Sequence, residues 1–190
     1  MSHSDSPAAG SVGAVLTPDD LQVYIEANGI AARLVRGLGD TSTVPLAAAA
    51  LGVGAERILK SLLLRLRLPE RAEDPQPLLV ISNGERRVDY RAVAARFGVS
   101  RKRVEFAPPE VVLVLTGYPA GGVPPFGHRT RVPAILDAAV LALPGGAAAT
   151  VYAGGGDDST MLEITVDELR RVLHPEILDT SCADLTRRIP

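Results

Sequence analysis

The sequence predicts an α+β domain, a mixed sheet with helices around it. Three observations carry this prediction. Of 190 residues, 46% are hydrophobic and 22% charged, a balance that buries one sizeable core at a length where a single domain is the default. Helical and strand-like segments interleave without the regular alternation of a doubly wound sheet. Gly (18) and Pro (15) are plentiful but scattered, and no repeat of fixed period is visible. With no Trp and only 4% aromatic residues, the core is built from Leu, Val, Ile and Ala.

Residues 1–16 (MSHSDSPAAGSVGAVL) lack a basic start and a long apolar stretch, so they read as a disordered tail rather than a secretory signal. The domain is expected over residues 17–190. Thr17-Pro18-Asp19-Asp20 opens the first helix: Thr17 caps it, Pro18 suits the first helical position, and both aspartates face the positive end of the dipole. Leu21, Tyr24 and Ile25 form its buried stripe, and Asn28-Gly29 stops it. A short strand follows over Ala32 to Arg36, then an Ala-rich helix from Val44 to Leu51 ending at Gly52.

Ile58 to Arg67 reads as a strand with a partner at Pro77 to Ser82, joined by a polar loop. Asp89 caps a helix that stops at Gly98, and Pro108-Pro109-Glu110 starts another that ends at Thr116-Gly117. Thr116 to His128 (TGYPAGGVPPFGH) is too rich in Gly and Pro to be regular. Short strands are expected near Val132 to Leu136, Thr150 to Ala153 and Met161 to Thr165. Thr165-Val166-Asp167-Glu168 has the form of a capping box and opens a helix to about Leu173, with one more short helix after His174.

Composition excludes several functions. A net charge of -2 and a pI near 5.9 are not the footprint of a protein that wraps long nucleic acid, though they permit contact with the end of an RNA. A single cysteine, Cys182, leaves no internal disulfide and no cysteine-built zinc site, and fits a reducing cytoplasm. No apolar run reaches the roughly 20 residues of a membrane span. Histidines stand only at 3, 128 and 174, too few for a His-rich metal centre, and there is no Gly-x-Ser-x-Gly elbow. No cofactor and no metal is expected.

Two features stand out. The chain holds two lysines against eighteen arginines, and Lys60 sits inside the apolar run Ile58 to Leu64. A compact ammonium on a narrow stem there holds a phosphate or polarises a carbonyl; the alternative is a solvated lysine on a half-buried strand. The second feature is the loop Gly117 to Gly127. Its glycines let backbone approach a ligand and its prolines stiffen it, as an oxyanion-binding element requires; a structural crossover loop is the alternative.

ILKSLLL at Ile58 to Leu64, TGYPAGGVPPFGH at Thr116 to His128 and VYAGGGDDSTMLEI at Val151 to Ile164 fall in the order and spacing of the YbaK-like aminoacyl-tRNA deacylases. These are relatives of the editing domain of bacterial prolyl-tRNA synthetases, and the resemblance runs from about Asp20 to Leu173. It implies a single α+β domain with a mixed, strongly curved, barrel-like sheet, and a hydrolase that cleaves a wrong amino acid from the 3′ end of a tRNA. By the same resemblance Lys60 is the key catalytic lysine. Gly121, Gly122, Val123, Pro124 and Pro125 form the loop that contacts the aminoacyl group, Gly117 and Tyr118 precede it, and Thr41 is a pocket threonine. Gly154, Gly155 and Met161 fall where the cysteine-specific branch carries a Ser-Gly-Gly turn and an Asp. The pocket wall is therefore expected to be apolar and the substrate a small, mostly apolar amino acid such as alanine.

The implied partner is the acceptor end of an aminoacyl-tRNA, with an aminoacyl-tRNA synthetase as a second candidate and neither DNA nor membrane. Arg86-Arg87, Arg101-Lys102-Arg103 and Arg129-Thr130-Arg131 are candidate phosphate contacts or solvated charge. The alternative function is a non-catalytic binding module of the same fold that holds an aminoacyl-adenosine-like or nucleotide ligand.

Overall fold

A computed structural model of the chain describes residues 13–71 and 73–181. Residues 1–12 of the expected tail and Cys182 lie outside the described residues. The element order is α1 (Pro18–Ala27), β1 (Ala32–Val35), α2 (Val44–Leu51), β2 (Leu59–Leu66), β3 (Gln76–Asn83), α3 (Tyr90–Arg96) and β4 (Val104–Phe106). It continues with α4 (Pro109–Thr116), β5 (Ala134–Asp137), α5 (Ala138–Leu141), β6 (Thr150–Gly154), β7 (Met161–Thr165), α6 (Val166–Leu173) and β8 (Glu176–Leu178).

The strands form two sheets. A three-stranded sheet runs β1-β7-β6, antiparallel throughout, and a five-stranded mixed sheet runs β4-β2-β3-β5-β8. In the larger one β4, β2 and β3 are antiparallel, while β5 and β8 are parallel to β3. The expected barrel-like curvature is corrected by this arrangement. Among the described residues no sheet is closed: the two are joined by one isolated parallel bridge, Ile58 to Tyr152, and β2 pairs along its whole length with β3.

Alternation along β2 and β3 divides their side chains between two cores. Leu59, Leu63, Leu79 and Ile81 join the main core with Leu21, Ile25, Val112, Leu162 and Leu169. Leu64, Leu66, Leu78 and Val80 pack under Val93 and Ala94 of α3. Burial on both faces explains why Ile58 to Leu66 reads as a nearly continuous apolar run. A third cluster, Ala47, Ile58 and Met161, sits where the two sheets meet.

The helix starts form as their residues dictate. Thr17 and Asp20 make a reciprocal capping box at α1, and Asp89 caps α3 through the Arg91 N–H. At α6 only half of the box forms: Thr165 accepts the Glu168 N–H, but the Glu168 carboxylate reaches the Ala31 N–H at 2.7 Å instead. Three expectations are corrected. Tyr24 is exposed and stacks on Phe126, because the buried face of α1 narrows to Pro18, Leu21 and Ile25. The described segment after His174 is a strand, because His174 leaves α6 at φ 45°, Pro175 follows, and Glu176–Leu178 pairs beside β5. β4 and α5 were not foreseen, being only 3 and 4 residues long.

Leu16, at the end of the expected tail, donates its N–H to the Gly117 carbonyl at 2.8 Å and packs against the main core. Among the described residues no helix is long and apolar enough to cross a membrane.

Candidate functional site

The edge of β2 that faces away from β3 is only partly covered. β4 pairs with Leu64–Leu66, and the bridge to Tyr152 engages Ile58. Between these contacts the edge opens into a cavity of about 320 Å³. Its walls are β2 from Ile58 to Leu63, residues 41–44 ahead of α2, Val112 of α4, the loop residues Ala120, Gly121 and Val123, and Gly154 and Met161 at the facing ends of β6 and β7. Phe106, 52% exposed, stands at the mouth.

Lys60 is half-buried in this wall. Its Nζ donates to the Gly84 carbonyl at 3.4 Å and to the Arg86 carbonyl, both in the turn after β3. Two of the three ammonium hydrogens are thereby held. Burial, and then the neighbouring Arg87 guanidinium, lower its pKa from the usual lysine range, while Asp137 acts in the opposite direction.

The next residue carries a feature that sequence reading missed. The Ala107 N–H donates to the Leu63 carbonyl at 2.9 Å, so the main-chain groups of Leu63 point to the outer edge of β2. In an antiparallel strand that direction recurs every second residue, so the Ser61 N–H and C=O also face the open edge. The Ser61 hydroxyl is buried and has no hydrogen-bond partner among the described residues.

The Gly-Pro loop supplies the opposite wall. The N–H groups of Gly121 and Val123, both cavity residues, find no protein acceptor among the described residues. They are two free donors in a loop that is fixed from behind. His128 Nε2 meets the Pro124 carbonyl at 2.7 Å and so carries the hydrogen there, and burial holds its pKa below the usual histidine value. His128 thus braces the loop through the Pro124 carbonyl, and it lines the separate groove behind the loop rather than the cavity. Close backbone contact fixes the loop from the side: a Cβ on Gly122 would lie 2.7 Å from the Asp157 carbonyl oxygen, and one on Gly154 would lie 2.6 Å from that of Val123.

Of the residues singled out from sequence, the cavity brings together Thr41, Lys60, Gly121, Val123, Gly154 and Met161. The others stand behind it. Gly117 ends α4 with φ 87°, and Tyr118 is buried in the main core, where burial pushes its hydroxyl pKa up to about 12. Gly122 and Gly155 make close backbone contacts, Pro124 holds His128, and Pro125 lines a separate groove on the far side of the loop. The loop and turn residues that line the cavity, Ala120, Gly121, Val123, Gly154 and Met161, are apolar or glycine, and Thr41, Ser42 and Thr43 line it from the segment ahead of α2. The Thr41-Ser42-Thr43 run and the serine beside Lys60 were the available signals of the polar part. Among the described residues no group of His, Cys, Asp and Glu could hold a metal ion.

The sequence pattern of the aminoacyl-tRNA editing domain matches residues 39–172. The uncharacterized protein YwhH of Bacillus subtilis (strain 168) is 28% identical over 144 residues, 76% of this chain and 83% of the relative. A solved structure described as a candidate trans-editing enzyme for prolyl tRNA synthetase is 28% identical with a TM-score of 0.75, over 93% of this chain and 100% of that one. The hypothetical protein APE2540 is 28% identical with a TM-score of 0.71, over 83% and 96% of the two chains. The matched span holds Lys60, the Gly-Pro loop and every other cavity wall, and the domain implies an aminoacyl-tRNA as substrate. This chain belongs to the aminoacyl-tRNA editing domain family.

Proposed function

We propose that the protein is a trans-acting aminoacyl-tRNA deacylase that hydrolyses the ester joining a small amino acid to a tRNA it does not match. One observation carries the reading: Lys60 lines one cavity together with Gly121 and Val123, whose main-chain N–H groups have no protein acceptor among the described residues. An aminoacyl ester is already activated, so no strong nucleophile is required. Water adds to the ester carbonyl, and the negative charge on that oxygen is stabilised by the Gly121 and Val123 N–H groups. The bond to the ribose oxygen then breaks, that oxygen takes up a proton, and free amino acid and deacylated tRNA leave. Lys60 holds the terminal phosphate or the aminoacyl group in register, so the site works chiefly by positioning. Action on released tRNA is supported by likeness to the candidate trans-editing enzyme.

Met161 and Ile58 close one end of the cavity with apolar surface, which favours a small side chain such as that of alanine. The Thr41 hydroxyl, which donates to the Asp158 carbonyl, keeps its acceptor capacity for the substrate's own polar atoms. A second reading, a binding module without turnover, draws on Met161, which stands where the cysteine-specific branch carries an acid. Incubation with Ala-, Cys-, Ser- and Thr-charged tRNAs separates the two. Release of amino acid, fastest from alanine, supports the deacylase. Saturable binding of a non-hydrolysable aminoacyl-adenosine with no release from any tRNA supports the module.

A further inference from the structure

Asp137 is fully buried at the end of β5, outside the cavity, and the mechanism above does not use it. Its Oδ1 accepts the Ala139 N–H at 3.0 Å, capping α5. Its Oδ2 accepts the Thr180 hydroxyl at 2.7 Å and lies 3.5 Å from Arg86 Nε. The other side of the Arg86 guanidinium pairs with Asp179 at 3.0 Å, and the Asp89 N–H donates to the Thr180 carbonyl at 2.8 Å. Residues 179 and 180 therefore strap the turn at residues 84–89 from outside.

The inner side of the same turn holds Lys60. Arg86 gives its side chain to Asp137 and its carbonyl to the Lys60 ammonium. Gly84 offers the second carbonyl and is itself wedged, since a Cβ there would lie 2.4 Å from both the Ala55 carbonyl oxygen and a methyl of Val44. The turn has no slack toward the cavity, and on its far side it is tied to a buried charge.

We propose that Asp137, acting through Arg86, is a positioning residue for Lys60: it fixes the turn whose two carbonyls aim the ammonium at the cavity. The role rests on the deacylase reading of the site. A carboxylate removed from water is retained where its partners must not move, and a buried ion pair with further hydrogen bonds is suited to that. The charged groups around Lys60 are Arg86 and Arg87 from the turn, Asp137 from β5, and Asp179 behind Arg86. Removing the Asp137 charge leaves Asp179 as the one carboxylate among these groups, on the far side of Arg86, so Lys60 gives up its proton at a lower pH.

The chain has only two lysines, Lys60 and Lys102, so labelling lysine Cε with carbon-13 yields two resonances, and Lys102→Arg identifies them. In Asp137→Asn the Lys60 titration midpoint is expected to move down while that of Lys102 stays. kcat/KM for deacylation is expected to fall by about 10- to 100-fold, the scale of a small displacement of a reacting group, with the alkaline limb of its pH profile shifting in parallel. Arg86→Gln is expected to lose at least about tenfold in kcat/KM, at the lower end of that scale, and to melt lower, because the buried Asp137 carboxylate loses its cation; it is assayed at a temperature where circular dichroism shows it folded. It decides the matter if Asp137→Asn does not fold. An unmoved Lys60 midpoint in folded Asp137→Asn, or wild-type kcat/KM in Arg86→Gln, overturns the proposal. If the wild-type protein releases no amino acid from any tRNA, the deacylase reading fails, and the Lys60 titration still tests the coupling to Asp137.

Discussion

The main-chain carbonyl of Asp158 accepts two hydrogen bonds from Thr41, from its N–H at 2.6 Å and from its hydroxyl at 2.9 Å. The turn that holds Asp158 also bears on the opposite wall, since the Asp157 carbonyl lies against Gly122 and the Gly156 N–H donates to the Gly122 carbonyl. Two walls of the cavity therefore hang from one turn. Thr41→Val removes the hydroxyl bond at nearly constant volume. A loss of about 1 kcal/mol is expected from the urea midpoint, with Ser-tRNA deacylation falling more than Ala-tRNA deacylation. Equal losses on both substrates would remove Thr41 from substrate recognition.

Glycines around the site differ in kind. A Cβ on Gly154 would strike the carbonyls of Val123 and Gly122, at 2.6 and 2.8 Å, and backbone cannot swing aside. Gly154→Ala should cost about 1–3 kcal/mol, as overpacking does, and should displace the loop donors with a large loss of deacylation. At Gly121 a Cβ meets nothing within 4 Å, and the cost is only that of φ +101°. Comparing the two variants by denaturation and by rate checks this: a smaller rate loss in Gly154→Ala than in Gly121→Ala contradicts the packing account. A side chain at Gly122 meets the Asp157 backbone, so Gly122→Val should impair all substrates alike.

Much of this was legible in the sequence because the signals were local. Caps at Thr17, Asp89 and Thr165, and the glycine stops at residues 52 and 117, act within a few residues of the helix they bound. Lys60 stood out as a lone ammonium in an apolar strand, and its segment and the Gly-Pro loop kept their order in the chain. The rest depended on contacts between distant residues. Two-sheet topology rests on a single bridge between Ile58 and Tyr152, which no periodicity encodes. The open edge at Ser61 is set by how few residues of β4 reach β2. β8 is 3 residues whose strand state comes from pairing with β5, not from propensity.

The His128 imidazole links pH to stability. Burial holds its pKa below the ordinary histidine value of 6.5. The unfolded chain thus binds the proton more readily, and stability is full above that value and declines as pH falls through the folded pKa. Glu168, held down to about 2 by Arg171 and the Ala31 N–H, loses its contribution only below its unfolded value of 4.5. Urea midpoints between pH 8 and pH 5 should therefore slope in the wild type and flatten in His128→Gln. Identical slopes in both proteins would show that another group carries the effect.

Leu16 makes the boundary of the domain measurable. Its N–H bond to Gly117 and its place on the core predict that a chain beginning at Thr17 melts lower than one beginning at Gly13. The difference should be about 1–2 kcal/mol, for one hydrogen bond and one partly buried leucine. Equal melting temperatures would place residues 13–16 outside the domain.

The account stands or falls on Lys60. Its ammonium donates to two carbonyls, from Gly84 and Arg86, and the broader, planar guanidinium of Lys60→Arg is not expected to reproduce that pair of bonds. The decisive measurement is single-turnover release of alanine from a mischarged tRNA by wild type, Lys60→Ala and Lys60→Arg, each confirmed as folded by circular dichroism. A loss of about 100-fold or more in both variants, the cost of losing a transition-state contact, is predicted. Wild-type rates in folded Lys60→Ala would contradict the account.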